Sequence, residues 1–141
     1  MKITINYINN LHFKAKTRIF DNILIDEPSS FHGTDLGPSP VEYLLIGIGG
    51  CLSSTLVYCL RKRNIEIDDL EIVIDGELKH APPSLNLRLK HIHVEFNFFL
   101  KENTNEVVLN NCIDEFTKYC PVYDPVLNGI PIDLDFKKNK K

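Results

Sequence analysis

Gly37-Pro38-Ser39-Pro40-Val41-Glu42-Tyr43-Leu44-Leu45-Ile46-Gly47-Ile48-Gly49-Gly50-Cys51 is the stretch on which the fold turns. Ser39 is a good helix N-cap. Pro40 suits the first helical position, where a backbone N–H would find no partner. Glu42 stands three residues after Ser39, the spacing of a capping box. Val41, Leu44, Leu45, Ile48, Leu52, Thr55, Leu56 and Leu60 then recur at helical spacing. Arg61, Lys62 and Arg63 fall in the last turn, where positive charge suits the helix dipole, and Asn64 is a stop signal. One long helix is predicted. Gly47, Gly49 and Gly50 interrupt it, each costing about 1 kcal/mol relative to Ala. Two readings of these glycines are compatible: close packing of another backbone on that face, and room for a ligand beside Cys51.

Working outward, the residues before the helix read as short strands. Ile3, Ile5 and Tyr7 alternate with polar neighbours, Asn9-Asn10 signals a turn, and Leu11, Phe13 and Ala15 alternate again. Arg18 to Ile25 adds a third strand, and residues 26–40, rich in Pro, Ser and Gly, form a loop. After the helix come two longer strands. Leu70, Ile72 and Ile74 mark one, and Ile92, Val94, Phe96, Phe98 and Leu100 the other, with a loop at Ala81-Pro82-Pro83-Ser84 between them. A second helix is expected from about Asn105 to Tyr119, with Val108, Leu109, Cys112, Ile113 and Phe116 as its apolar stripe. Pro121 ends it and biases Cys120 towards extended backbone. Gly129 turns the chain, and Ile130, Ile132, Leu134 and Phe136 suggest a last strand. The fold class is therefore α+β.

The 141 residues carry 43% apolar side chains and no linker or composition shift, which fits a single domain over 1–141. No apolar run approaches the ~20 residues of a membrane span. The N-terminus lacks a signal-peptide pattern, so a soluble cytoplasmic protein without membrane association is expected, with its thiols kept reduced. The formal net charge is -3. The basic tail of Lys137, Lys138, Lys140 and Lys141 is short, so no nucleic-acid partner is expected.

The four cysteines are Cys51, Cys59, Cys112 and Cys120. No CxxC occurs and no Cys/His grouping has zinc spacing, so no metal is expected. Cys59 follows Cys51 by eight residues, and Cys112 precedes Cys120 by eight. On a helix that is close to two turns with a rotation of roughly 80°. Cys59 and Cys112 read as buried core filler. Cys51 and Cys120 stand apart: one follows two glycines, and the other sits at a helix-to-loop break before proline, where a thiol can be reached.

The segment from Gly37 to Cys51 resembles the first cysteine helix of the OsmC/Ohr family, named for osmotically inducible protein C and organic hydroperoxide resistance protein. Tyr119-Cys120-Pro121-Val122, with Leu127 and Ile130 following, resembles the family's second cysteine motif. The resemblance runs from about Phe13 to Phe136. It implies an antiparallel sheet with a long central cysteine-bearing helix and a second helix, assembled as an intertwined homodimer with sites at the interface. It also implies that Cys51 is the peroxidatic and Cys120 the resolving cysteine of a thiol-dependent peroxidase. Such an enzyme reduces a small-molecule organic hydroperoxide through a Cys51 sulfenic acid and a Cys51–Cys120 disulfide, with an external dithiol reductant and no bound cofactor.

Two positions depart from the family pattern. In the well-defined hydroperoxidase branches a Glu directly follows the proline aligned with Pro40; here that residue is Val41, and the acid is Glu42. One residue turns a helix by about 100°, so Glu42 serves either the site or the cap with Ser39. Arg18 is the only arginine before Cys51, and thus the one Arg there that can play the family's thiolate-supporting role; otherwise it is a solvated strand residue. His91 and His93 share the wet face of a strand, and His32 lies in the loop before the helix. The alternative to the peroxidase is a non-enzymatic redox-sensing or small-ligand-binding dimer of the same fold. A third class, purely structural, would bury its cysteines inert.

Overall fold

The computed structural model describes residues 1–138; Lys140 and Lys141 of the basic tail lie outside the described residues. Contacts within the chain cluster in two units, Met1–Gly49 with Val73–Glu95, and Gly50–Ile72 with the chain from Phe96 onward.

In the first unit, β1 (Thr4–Asn9), β2 (His12–Thr17) and β3 (Phe20–Ile25) form an antiparallel sheet in that order. Ile5 faces Ala15 and Tyr7 faces Phe13 across the first ladder, and the Tyr7 and Phe13 rings meet edge to face at 5.7 Å. Ala15 and His12 are buried on β2, whereas every residue of β1 is exposed. Period-two patterning identifies the strand, although its apolar residues remain exposed among the described residues. Arg18 sits in the turn between β2 and β3 rather than in a strand, with a positive φ of 51°.

The loop after β3 is organised by Asp26, which is fully buried. Its carboxylate accepts the Thr34 hydroxyl at 2.5 Å and the backbone N–H groups of Glu27, Thr34 and Leu36 at 2.8–3.3 Å. The Thr34 hydroxyl foremost, with the Leu36, Thr34 and Glu27 N–H groups, holds the carboxyl below its ordinary range against the opposing pull of burial. Gly33 is obligatory in this loop, since a Cβ there would lie 1.7 Å from the Glu27 carbonyl oxygen. The loop delivers the chain to α1 (Pro40–Lys62).

The start of α1 is a reciprocal capping box. Ser39 N–H donates to Glu42 Oε2 at 2.6 Å, and Glu42 N–H donates to Ser39 Oγ at 3.3 Å. Tyr43 Oη donates to the Leu24 carbonyl at 2.6 Å, fastening the first turn to β3. Of the three glycines, Gly49 answers to packing, because a Cβ there would meet Ile74 Cδ1 at 2.3 Å. A Cβ at Gly47 or Gly50 would meet no described atom within 4 Å. β4 (Ile67–Ala81) and β5 (Asn86–Leu100) pair as a two-stranded sheet, and the short turn between them makes the pair antiparallel.

In the second unit, Leu52, Leu56 and Leu60 of α1 are buried. The helix ends in a Schellman motif: Ile65 N–H donates to Leu60 O at 2.9 Å and Asn64 N–H to Arg61 O at 3.1 Å. Asn64 takes the left-handed conformation, φ 54°, and Ile65 and Leu60 are both buried, as this cap requires. α2 (Glu106–Glu115) is capped by the Asn105 side chain, which accepts from Val108 N–H at 3.2 Å, and continues as a 3₁₀ turn over Phe116–Tyr119. Leu109, Cys112 and Phe116 are buried along it, and Phe116 meets Phe96 of β5 edge to face at 5.6 Å.

One element was not expected, and two expectations need correction. The chain beyond Pro121 forms a short helix, α3 (Tyr123–Asn128), which carries no side-chain cap and so leaves no signal in the sequence. The last strand is absent: the residues after Gly129 pair with no strand among the described residues, and Ile130, Ile132, Leu134 and Phe136 are 61–84% exposed. Alternation alone makes no strand, because the backbone groups need a ladder partner. Finally, α1 is by length and composition long and apolar enough to cross a membrane; the burial of Ile48, Leu52, Leu56 and Leu60 gives the same apolar residues a packing role.

Candidate functional site

Cys51 and Cys120 come together in the second unit. Cys51 stands on α1 directly after Gly50. Cys120 caps the 3₁₀ turn in extended conformation (φ −81°, ψ 113°), the backbone that a following proline imposes. Their Sγ atoms are 3.3 Å apart and both thiols are free. Cys120 is only 5% exposed, whereas Cys51 is half-buried and the more accessible residue.

The two thiols share their protons unequally. Burial raises the Cys51 thiol, and hydrogen bonding and charge from Cys120 raise it further, outweighing the Val122 N–H and the Thr55 hydroxyl. Burial also pushes Cys120 up. There it is overcome by the backbone N–H of Val122, the Cys51 thiol, the backbone N–H of Tyr123 and the Thr55 hydroxyl, so that Cys120 falls below the ordinary thiol value. The pair therefore loses its first proton more readily than an isolated buried thiol would. The more acidic thiol of the pair is thus Cys120, and as thiolate it stands at hydrogen-bond distance from Cys51 Sγ, where it can take the Cys51 proton. The backbone donors exist because Pro121 stops one helix and α3 begins two residues later.

Thr55 is the site residue that sequence reasoning misses. Its spacing places it in the apolar helical stripe, but its hydroxyl donates to the Cys51 carbonyl at 2.9 Å and lies near enough to both thiols to help lower them. A residue four positions after a cysteine on a helix shares its face, and that spacing is the available signal.

The remaining candidates are engaged elsewhere. The Glu42 carboxylate is held by Ser39, and the Ser39 N–H and hydroxyl keep its pKa below the ordinary value. The Arg18 guanidinium lies 5.4 Å from the Phe20 ring centroid. No ion pair joins Arg18 to Glu42 among the described residues. The His32 carbonyl accepts the Asn10 amide at 2.9 Å. His91 and His93 are exposed. No group of three or more His, Cys, Asp or Glu is arranged to hold a metal among the described residues.

Cys59 and Cys112 also differ from the core-filler expectation. Cys112 is fully buried, but its Sγ receives a hydrogen bond from Arg63 Nη1 at 3.2 Å. Cys59 bonds with Cys112 and, by burial first and that bond second, is pushed up to about 11. Arg63, expected only as a cation suited to the helix dipole, also pairs with Glu115 at 2.6 Å.

Residues 33–135 match the family model described as OsmC-like protein. The chain is 26% identical over 122 residues to protein YhfA of Escherichia coli (strain K12), covering 86% of each chain. The fold superimposes on an OsmC-like protein from Mycoplasma pneumoniae with a TM-score of 0.74 at 21% identity, covering 90% of this chain and 86% of that one. It also superimposes on the organic hydroperoxide resistance protein OhrB of Bacillus subtilis with a TM-score of 0.63 at 17% identity, covering 96% of each. With the cysteine helix and the second cysteine motif both inside the matched span, the chain belongs to the OsmC-like protein family.

Proposed function

We propose that this protein is a thiol-dependent peroxidase that reduces organic hydroperoxides. The observation that carries the reading is the 3.3 Å separation of the Cys51 and Cys120 sulfurs in the reduced chain, which needs to contract only to about 2.05 Å to become a disulfide. The structural neighbour OhrB of Bacillus subtilis is an organic hydroperoxide resistance protein, which is consistent with this reading. The Cys51 thiolate attacks the terminal oxygen of the hydroperoxide. The O–O bond breaks, the alcohol leaves with a proton, and Cys51 becomes a sulfenic acid. Cys120 then attacks Cys51 Sγ, the S–O bond breaks, and water leaves with the disulfide formed. An external dithiol restores both thiols by two exchange steps.

The reading includes a homodimer. Ile3, Ile5 and Tyr7 of the N-terminal strand region, with Ile130, Ile132, Leu134 and Phe136, leave two apolar stretches uncovered, a cost that a second copy removes. Light scattering at micromolar concentration should give twice the chain mass; a monomer contradicts this part of the reading.

The test of the chemistry is intact-mass spectrometry after one equivalent of cumene hydroperoxide. A loss of two hydrogens mapped to Cys51–Cys120 within seconds is expected. Cys51→Ser should abolish peroxide consumption, and Cys120→Ser should keep the first oxidation but form no bridge. No mass change, with Cys51 still alkylatable, refutes the peroxidase. That outcome favours a redox-sensing or small-ligand-binding dimer, the reading supported by Val41 at the usual Glu position and by the engagement of Glu42 in the helix cap.

A further inference from the structure

The four cysteines fall at matched intervals on two stretches of chain. Eight residues along α1 carry Cys59 about 12 Å from Cys51. Eight residues back from Cys120 lies Cys112 on α2. Arg63 links the second pair: it lines the same cavity as Cys59 and donates to Cys112 Sγ, and Cys112 is the neighbour to which Cys59 hydrogen-bonds. The same two stretches are thus joined twice.

The second pair has its own surroundings. Arg63 Nη1 donates to Cys112 Sγ at 3.2 Å, while Nη2 holds Glu115 at 2.6 Å, which fixes the guanidinium in place. The guanidinium thus stands at the Cys112 sulfur as a fixed hydrogen-bond donor. Cys59 faces a cavity of about 500 Å³ lined also by Tyr58, Lys62, Arg63 and Tyr119. An inert core cysteine needs neither a guanidinium on its neighbour nor an opening. The two tyrosines offer apolar walls and Lys62 an anionic preference, the charge of Arg63 being matched by Glu115.

We propose that Cys59 and Cys112 form a second dithiol–disulfide couple, which exchanges with a small anionic disulfide admitted by this cavity. Cys59, pushed up to about 11, loses its proton in alkaline solution and as thiolate attacks one sulfur of the disulfide. The S–S bond breaks, one thiolate leaves with a proton, and a mixed disulfide stands on Cys59. Cys112, steadied by Arg63, attacks Cys59 Sγ and displaces the second thiol. Two protein thiols are oxidised and one small disulfide is reduced to two thiols. This couple is independent of peroxide chemistry at Cys51.

The test uses Cys51→Ser/Cys120→Ser protein, with folding checked by circular dichroism, and oxidised glutathione as the probe. The expected result is a loss of two hydrogens mapped to a Cys59–Cys112 peptide, with two glutathione molecules released. Adding Cys112→Ser should instead trap a stable glutathione adduct on Cys59. Arg63→Gln should slow bridge formation several-fold, and Lys62→Gln should reduce the preference for oxidised glutathione over uncharged hydroxyethyl disulfide. If both cysteines remain alkylatable after unfolding, or if only a lasting mixed disulfide forms on the double variant, the proposal is overturned. Should the double variant not fold, the same treatment of the parent chain decides. A Cys59–Cys112 peptide is required there, and its absence overturns the couple.

Discussion

Replacing Glu42 separates two roles that the sequence leaves open. In the structure, its Oε2 accepts the Ser39 N–H at 2.6 Å, and Ser39 is buried, so the donor has no water to turn to. Glu42→Ala leaves that N–H unpaired. Loss of a capping interaction costs about 0.5–2 kcal/mol; the carboxylate itself is solvent-exposed, and screening keeps the expected loss near about 1 kcal/mol. For a chain of this length that lowers Tm by about 3 °C. The pH dependence follows from the lowered pKa of Glu42. A carboxyl depressed in the folded state contributes stability above its unfolded pKa and loses it as pH falls through the folded value. Parent and Glu42→Ala should therefore differ at neutral pH and converge in acid. Thermal unfolding followed by circular dichroism at several pH values reads this, with peroxide consumption assayed in parallel. An unchanged Tm with at least a tenfold loss of peroxide turnover would refute the cap and place Glu42 in the chemistry.

Other perturbations test the second unit and the loop. Leu56 is 1% exposed, so Leu56→Ala should destabilise by about 3–5 kcal/mol in urea titration; a loss below about 1 kcal/mol would mean that this part of α1 is not core. Cys120→Ser removes both contributions by which Cys120 raises Cys51, so the pH midpoint of Cys51 alkylation should move down, and an upward move contradicts the proton sharing. Asp26 is held below its ordinary pKa, so the parent chain should lose stability in acid as this carboxyl protonates, more steeply than Asp26→Asn does. Identical acid slopes in the two proteins would show that the Asp26 network does not contribute.

The local signals in α1 translate directly into structure. Ser39, Pro40, Glu42 and Asn64 each have a stereochemical reason for their place, and each adopts it. Period-two patterning locates β1, β2, β4 and β5 for the same reason. It fails at Ile130 to Phe136 because pairing depends on a partner edge, which pattern does not encode. It misses α3 because that helix has no side-chain cap to mark it. At the site, spacing and the X-Pro restriction single out Cys51 and Cys120, but their 3.3 Å approach is a product of tertiary folding. Asp26 is invisible in the sequence for a related reason: three N–H groups and a hydroxyl converge on it only when the loop is closed.

The source of acidity at the cysteine pair follows from these particulars. The family resemblance implies an arginine and a glutamate as supports for the thiolate. Here Arg18 covers Phe20 and Glu42 caps α1, while the groups that lower Cys120 are the Val122 and Tyr123 N–H groups, the Cys51 thiol and the Thr55 hydroxyl. Backbone donors cannot be removed by a side-chain substitution, and they are fixed by chain direction: Pro121 forces Cys120 out of the helix, and the start of α3 turns the next amides towards it. Val41 therefore does not by itself remove the means of making a thiolate. What it removes is the acid that the family pattern places after the proline, so in the proposed reaction a hydroperoxide would have to be recognised by other groups.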